Sequence, residues 1–184
     1  MRVIICLLST LAALTVWASE TPDAALEQEA RAMVKQFASQ LKPQLKAALQ
    51  AGGPSHAIEI CATQAPKIAD ALSTDTGWIV KRVSLKARNA SRAIPDAWEK
   101  QVLEAFDRRR AAGEEPASLN HSEQVDGRYR YMQAQVVEPV CLTCHAETLS
   151  EPVRETLEQY YPDDYATGYT LGQVRGAFSL SKAL

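Results

Sequence analysis

Apolar residues recur at helical spacing through Leu26, Ala30, Met33, Val34, Phe37, Leu41, Leu45 and Ala48. Intervals of three and four residues place them on one face, which predicts an amphipathic helix. Pro43 falls inside it and predicts a kink, because its ring clashes with the preceding turn. Gly52-Gly53-Pro54 ends the helix. A second helix is predicted from Ser55, a candidate N-cap, to Leu72. The period then drops to two. Val83, Leu85 and Ala87 alternate with Arg82, Ser84, Lys86 and Arg88, which predicts a strand. Pro95-Asp96 opens a helix carrying Trp98, Val102, Ala105 and Phe106 that closes near Gly113. Asp126-Gly127 signals a hairpin turn, after which Met132, Ala134 and Val136 alternate with Gln133 and Gln135. Ser150-Glu151-Pro152 starts a short helix to about Tyr160, and Val174, Gly176, Phe178 and Leu180 mark a last strand. Helices first and a small antiparallel sheet afterwards give an α+β domain, with the N-terminal helices packed on the sheet. No repeat or low-complexity tract divides residues 19–184, so one domain is expected.

The chain opens MRVIICLLSTLAALTVWASE, with Arg2 the one charge before Glu20. The apolar run Val3–Trp17 is shorter than the roughly 20 residues a membrane span needs, and Val16-Trp17-Ala18 has a small-residue cleavage pattern. Residues 1–18 therefore read as a signal peptide cut after Ala18, which places the mature protein in the periplasm and leaves it without a membrane span. Removing Arg2 leaves 19 Lys+Arg against the chain's 22 Asp+Glu, a formal charge of −3. Nucleic acid and anionic membranes favour basic patches, so this balance argues against both as partners. Of the chain's 4 cysteines, Cys6 leaves with the signal. The three that remain, Cys61, Cys141 and Cys144, are an odd number in an oxidising compartment, which does not suit a disulfide scaffold.

Two of them belong to Val140-Cys141-Leu142-Thr143-Cys144-His145-Ala146. C-x-x-C-H is the attachment pattern of a c-type haem. Two thiols form thioethers with the two vinyl groups on one porphyrin edge, and the adjacent imidazole comes under the ring to ligate the iron. Export and this motif support each other, since attachment follows export. A thioredoxin-type pair would sit between a strand and a helix, but Glu138-Pro139 precedes this one. A zinc site would need a fourth ligand. One motif implies one haem c, with Cys141 and Cys144 holding it and His145 on the metal. A small all-helical cytochrome c carries its motif near the N-terminus. A four-helix cytochrome c′ carries it late, but the three period-2 segments weigh against that bundle.

The candidates for the iron's other axial position are His56, His121, Met33, Met132 and Cys61. His121 begins a hairpin among polar residues. Met33 and Met132 lie on apolar faces, where methionine is more often core. His56 and Cys61 share a helix but are roughly 140° apart around it. Ala57, Cys61, Ala65, Ile68 and Leu72 form its apolar face. Cys61 thus points inward between alanines, either as a buried inert thiol or as a ligand. Propionates attract cations, and Arg82, Lys86 and Arg88 share a predicted strand face that is either solvated or turned to the haem.

The runs EICATQAPKIA from Glu59, RVSLKARNASRAIPDAWEKQVLEAF from Arg82 and YPDDYATGYTLGQVRGAFSL from Tyr161, with the haem motif, carry a wider resemblance. The chain resembles a family of secreted bacterial and cyanobacterial monohaem c-type proteins with a PAS-like fold, a domain shared with some sensor kinases. That resemblance implies His145 and Cys61 as axial ligands; of the three strand cations, Arg88 is the one taken as a cofactor contact. It departs at KARNASRAIP, where the family is richer in Pro and Asn.

With both axial positions filled there is no open metal site for a substrate, and no nucleophile with a partner base is evident. An enzyme is therefore disfavoured. A thiolate stabilises Fe(III) and lowers the potential. The sequence points to a low-potential electron-transfer component, with a haem-based redox or diatomic-gas sensor as the alternative. Either way a separate redox or signalling protein is the expected partner.

Overall fold

A computed structural model describes residues 22–184, and the predicted signal peptide lies outside them. Helix α1, Pro22–Thr76, keeps helical dihedrals except at Gly53, where φ is 69° and ψ is −163°. Pro54 disfavours the helical region for the residue before it, and only glycine adopts this φ/ψ pair without strain. A straight helix would hold Met33 and Thr76 roughly 65 Å apart. Instead the Thr76 hydroxyl donates to Met33 Sδ at 3.4 Å. Gly53 therefore folds α1 into a hairpin of two arms, residues 22–52 and 54–76. Pro43, expected to kink the first arm, leaves its dihedrals helical. Ser55 joins elements rather than capping one: its hydroxyl donates to the Pro152 carbonyl at 3.2 Å and accepts from Thr156 at 2.9 Å.

The sheet holds β1 (Ile79–Val83), β2 (Asn120–Val125), β3 (Arg128–Val136) and β4 (Val174–Ala183), antiparallel throughout and ordered β1-β4-β3-β2. Asp126 and Gly127 turn the β2–β3 hairpin with φ of 51° and 69°, as a tight mirror-image turn requires. The first strand differs from the expected one. Alternation pointed to residues 82–88, yet β1 ends at Val83. There the chain leaves the sheet, because the Ser84 amide donates to Ala93 and its hydroxyl donates to the Arg175 carbonyl. Gly176 permits the crossing, since a Cβ on it would lie 2.4 Å from the Val83 carbonyl oxygen.

Both sheet faces are covered. Val80, Tyr131, Phe178 and Leu180 pack on Phe37, Leu41, Ile68 and Leu72 from both arms of α1. Val83, Met132 and Ala177 pack on Val102, Leu103 and Phe106 of α3, Ala97–Ala111, which follows the short α2, Ala90–Ala93. Two β4 positions on the strand face that alternates as polar in the sequence, Ala177 and Ser179, are thus buried too. Ser179 donates at 2.6 Å to Glu99, a fully buried carboxylate of α3 that Lys81 also pairs at 2.9 Å. A buried charge persists only with such partners.

Candidate functional site

After β3, Pro139–Cys141 forms a 3₁₀ turn and Leu142–His145 a single α-turn, α4. Proline suits the first position of such a turn, where its missing N–H has no partner to lose. The two thiols of this turn are free and face different apolar clusters. Cys144 packs with Ile58 and Ala62 of the second α1 arm and with Val153 and Leu157 of α5, Glu151–Tyr160. Cys141 packs with Val137, Ala166 and Tyr169.

His145 is held in one tautomer. Its Nδ1 lies 2.7 Å from the Ala166 carbonyl oxygen. A carbonyl only accepts, so Nδ1 carries the hydrogen and the lone pair is on Nε2. This is how ligating histidines are oriented by an outer partner. Burial, with Arg175, Arg88 and Arg82 nearby, pushes the imidazole down to about 2, so it is neutral at ordinary pH. The Tyr169 ring stands edge-on to it, with centroids 6.1 Å apart.

The loop that supplies Ala166 is tied to the motif. Gly168 and Tyr169 amides donate to the Ala146 and His145 carbonyls at 3.1 and 2.9 Å. Asp164 accepts from the Ala166 amide at 2.7 Å and from Arg88 Nε at 3.1 Å. Arg88 also donates to the carbonyls of Ala166 and Cys144. Arg88, expected at a propionate, thus sits at the site as a clamp between motif and loop. Lys86 donates to Thr167 at 3.2 Å, and Arg82 lies over the Phe37 ring at 5.4 Å.

Of the five axial candidates, the fold brings Cys61 to the motif. It is half-buried on the second arm of α1. Burial pushes the Cys144 thiol up, opposed by Arg88, and the proximity of Cys61 and Cys141 adds to the rise. Burial likewise raises the Tyr161 hydroxyl, with Cys61 the next contributor. His56 pairs with Glu59 at 3.2 Å with 42% of its side chain exposed, and His121 lies 3.5 Å from Glu123 on the surface. Met33 and Met132 are core residues.

The family model that matches this chain is Tll0287-like, over residues 19–182. The chain belongs to the Tll0287-like family. Among solved structures it is similar to the crystal structure of the cyanobacterial haem-protein Tll0287, with 24% identity and a TM-score of 0.68 over 89% of this chain and 97% of that one. That likeness establishes the α+β fold. No curated protein matches.

The donors of this Tll0287-like chain fit a porphyrin better than a bare ion. Among the described residues, no three of His, Cys, Asp and Glu converge on a common point, whereas a porphyrin brings four nitrogens and asks the chain for axial donors. One further residue was missed by sequence reasoning. Arg175, an alternating polar position in β4, lies within electrostatic range of His145, Cys61 and Cys141. Its signal was the inward-facing neighbour pattern of β4, which reads equally as a solvated strand.

Proposed function

We propose that this protein is an exported monohaem c-type electron-transfer component of low potential. In this reading Cys141 and Cys144 hold one haem c covalently, and His145 and Cys61 are the axial ligands. The haem supplies reversible one-electron chemistry. The chain supplies the rest: the Ala166 carbonyl fixes the His145 tautomer, and Arg88 and Asp164 fix Ala166. The second α1 arm brings a thiolate, which favours Fe(III) over Fe(II). The observation that carries the reading is the 2.7 Å bond from His145 Nδ1 to Ala166, which leaves the lone pair on Nε2, in the same turn as two free thiols. The solved relative is a cyanobacterial haem-protein, in keeping with this reading. No helix among the described residues is long and apolar enough to cross a membrane; the proposed setting is the periplasm, with a separate protein as redox partner. Two chain ligands on one iron leave no place for a substrate, so no enzymatic activity is proposed.

A second reading, a redox or diatomic-gas sensor, draws on Tyr161. Its hydroxyl, beside Cys61, has no hydrogen-bond partner among the described residues. It is a donor available to a small ligand if the thiolate leaves.

The test begins with denaturing electrophoresis and haem staining, which should keep haem on the polypeptide. Ferric EPR should give a low-spin thiolate signature that Cys61→Ala removes while raising the potential and retaining the haem. An unchanged spectrum in Cys61→Ala would reduce Cys61 to core packing. Rapid, tight CO or NO binding by the reduced protein would favour sensing over transfer.

A further inference from the structure

Tyr169 is held at three points. Its amide donates to the His145 carbonyl at 2.9 Å. Its hydroxyl donates to the Arg175 carbonyl at 3.2 Å, the same oxygen that the Ser84 hydroxyl reaches, and the two hydroxyls lie 3.4 Å apart. The tip of the ring is thus tethered where the chain leaves β1 beside the start of β4. The Lys86 ammonium covers the ring, 4.8 Å from its centroid, and is itself anchored to the Thr167 carbonyl at 3.2 Å. Backbone, hydroxyl and cation together fix where this ring stands, and it is only 7% exposed.

What the ring stands against is His145. The centroids are 6.1 Å apart and the planes meet at 80°, within the range of edge-to-face aromatic pairs. The Ala166 bond at Nδ1 fixes the tautomer, but it holds the imidazole at one corner. The torsion that turns a histidine ring is soft, with broad rather than sharply staggered minima. A second, rigid contact is needed to fix the plane. We propose that Tyr169 is a positioning residue that sets the plane of the axial imidazole, and that its hydroxyl tether is what makes it rigid enough to do so. This rests on the haem reading above. Core packing alone would cost stability when the ring is cut back but would change nothing at the iron, so the two roles separate by spectroscopy.

The test uses the full-length haem-loaded protein, read by ferric EPR. The g values of a low-spin ferric haem depend on the orientation of the axial imidazole plane. Tyr169→Leu removes ring and tether but keeps an apolar side chain. Its three g values should shift and its lines broaden, because the imidazole then takes a spread of orientations. Tyr169→Phe keeps the ring and loses only the tether, so it should hold the wild-type g values with broader lines. A Tyr169→Leu signal superimposable on that of the wild type overturns the proposal and reduces Tyr169 to packing. If the leucine variant does not fold, Tyr169→Phe decides, and unbroadened lines overturn the proposal. A wild-type chain without haem, or without a low-spin signal, sinks the haem reading and this proposal with it, whereas a low-spin signal indifferent to residue 169 sinks only the positioning role.

Discussion

Replacing Arg88 with methionine keeps much of the side-chain volume and removes every donor. Three bonds vanish at once: to Asp164 Oδ2 at 3.1 Å, to the Ala166 carbonyl at 3.2 Å, and to the Cys144 carbonyl. The larger effect is on what remains. Asp164 is only 9% exposed, so its carboxylate would be stranded in a poorly solvated position. Removing one partner of a buried ion pair costs about 3–5 kcal/mol, against the 5–15 kcal/mol that typically separates folded from unfolded chains. With a urea m-value of about 2 kcal/mol/M, the unfolding midpoint of Arg88→Met should fall by about 1.5–2.5 M. The double variant Arg88→Met/Asp164→Asn should recover part of that loss, because the stranded charge is gone. Urea titrations of the four proteins of this cycle, followed by far-UV circular dichroism, supply the numbers. A loss under about 1 kcal/mol in Arg88→Met, or a double variant no more stable than the single, would refute the clamp.

Gly176→Ala should lower the melting temperature, since its Cβ would meet the Val83 backbone oxygen at 2.4 Å; overpacking of this kind costs about 1–3 kcal/mol, and calorimetry of the pair tests it. Asp96 caps α3, with its side chain accepting from the Glu99 amide at 2.8 Å and from Arg130 at 2.7 Å. Burial raises its pKa, but the Glu99 amide and Arg130 outweigh burial and hold it below the ordinary carboxylate value. A lowered carboxylate contributes stability above its unfolded pKa of about 3.9 and loses it as pH falls through the folded value. Asp96→Asn should therefore lose more stability at pH 6 than at pH 3, as urea midpoints at the two values would record; an equal loss at both would refute the capping charge.

What was legible in the chain was local. The Gly53 break, the Asp126-Gly127 turn and the α3 cap each depend on a few adjacent residues, and each lies where the pattern placed it. The inward direction of Cys61 was legible because helical periodicity gives the direction of a side chain. The misreadings share one cause, which is partners distant in sequence. Residues 84–88 alternate like a strand, but Ser84 is drawn off by Arg175, 91 residues away. Ser179 and Ala177 look solvent-facing until α3 covers that side of the sheet, and no feature of their own segment announces the cover.

The strand order β1-β4-β3-β2 also fixes a timetable. Strand β4 is central, yet it is the last of the four to be synthesised. Until it arrives β1 has no neighbour, because its pairs run from Ile79 with Ser181 to Val83 with Ala177. Such distant closure is intrinsically slow. Arg175 and the loop bearing Ala166 travel with the same late segment. Cys141, Cys144 and His145 are therefore made before α5 exists to cover Cys144 and before Ala166 exists to orient the imidazole. A covalent attachment step acting on the emerging chain would find two accessible thiols, and the late strand would then close the fold over a group already in place.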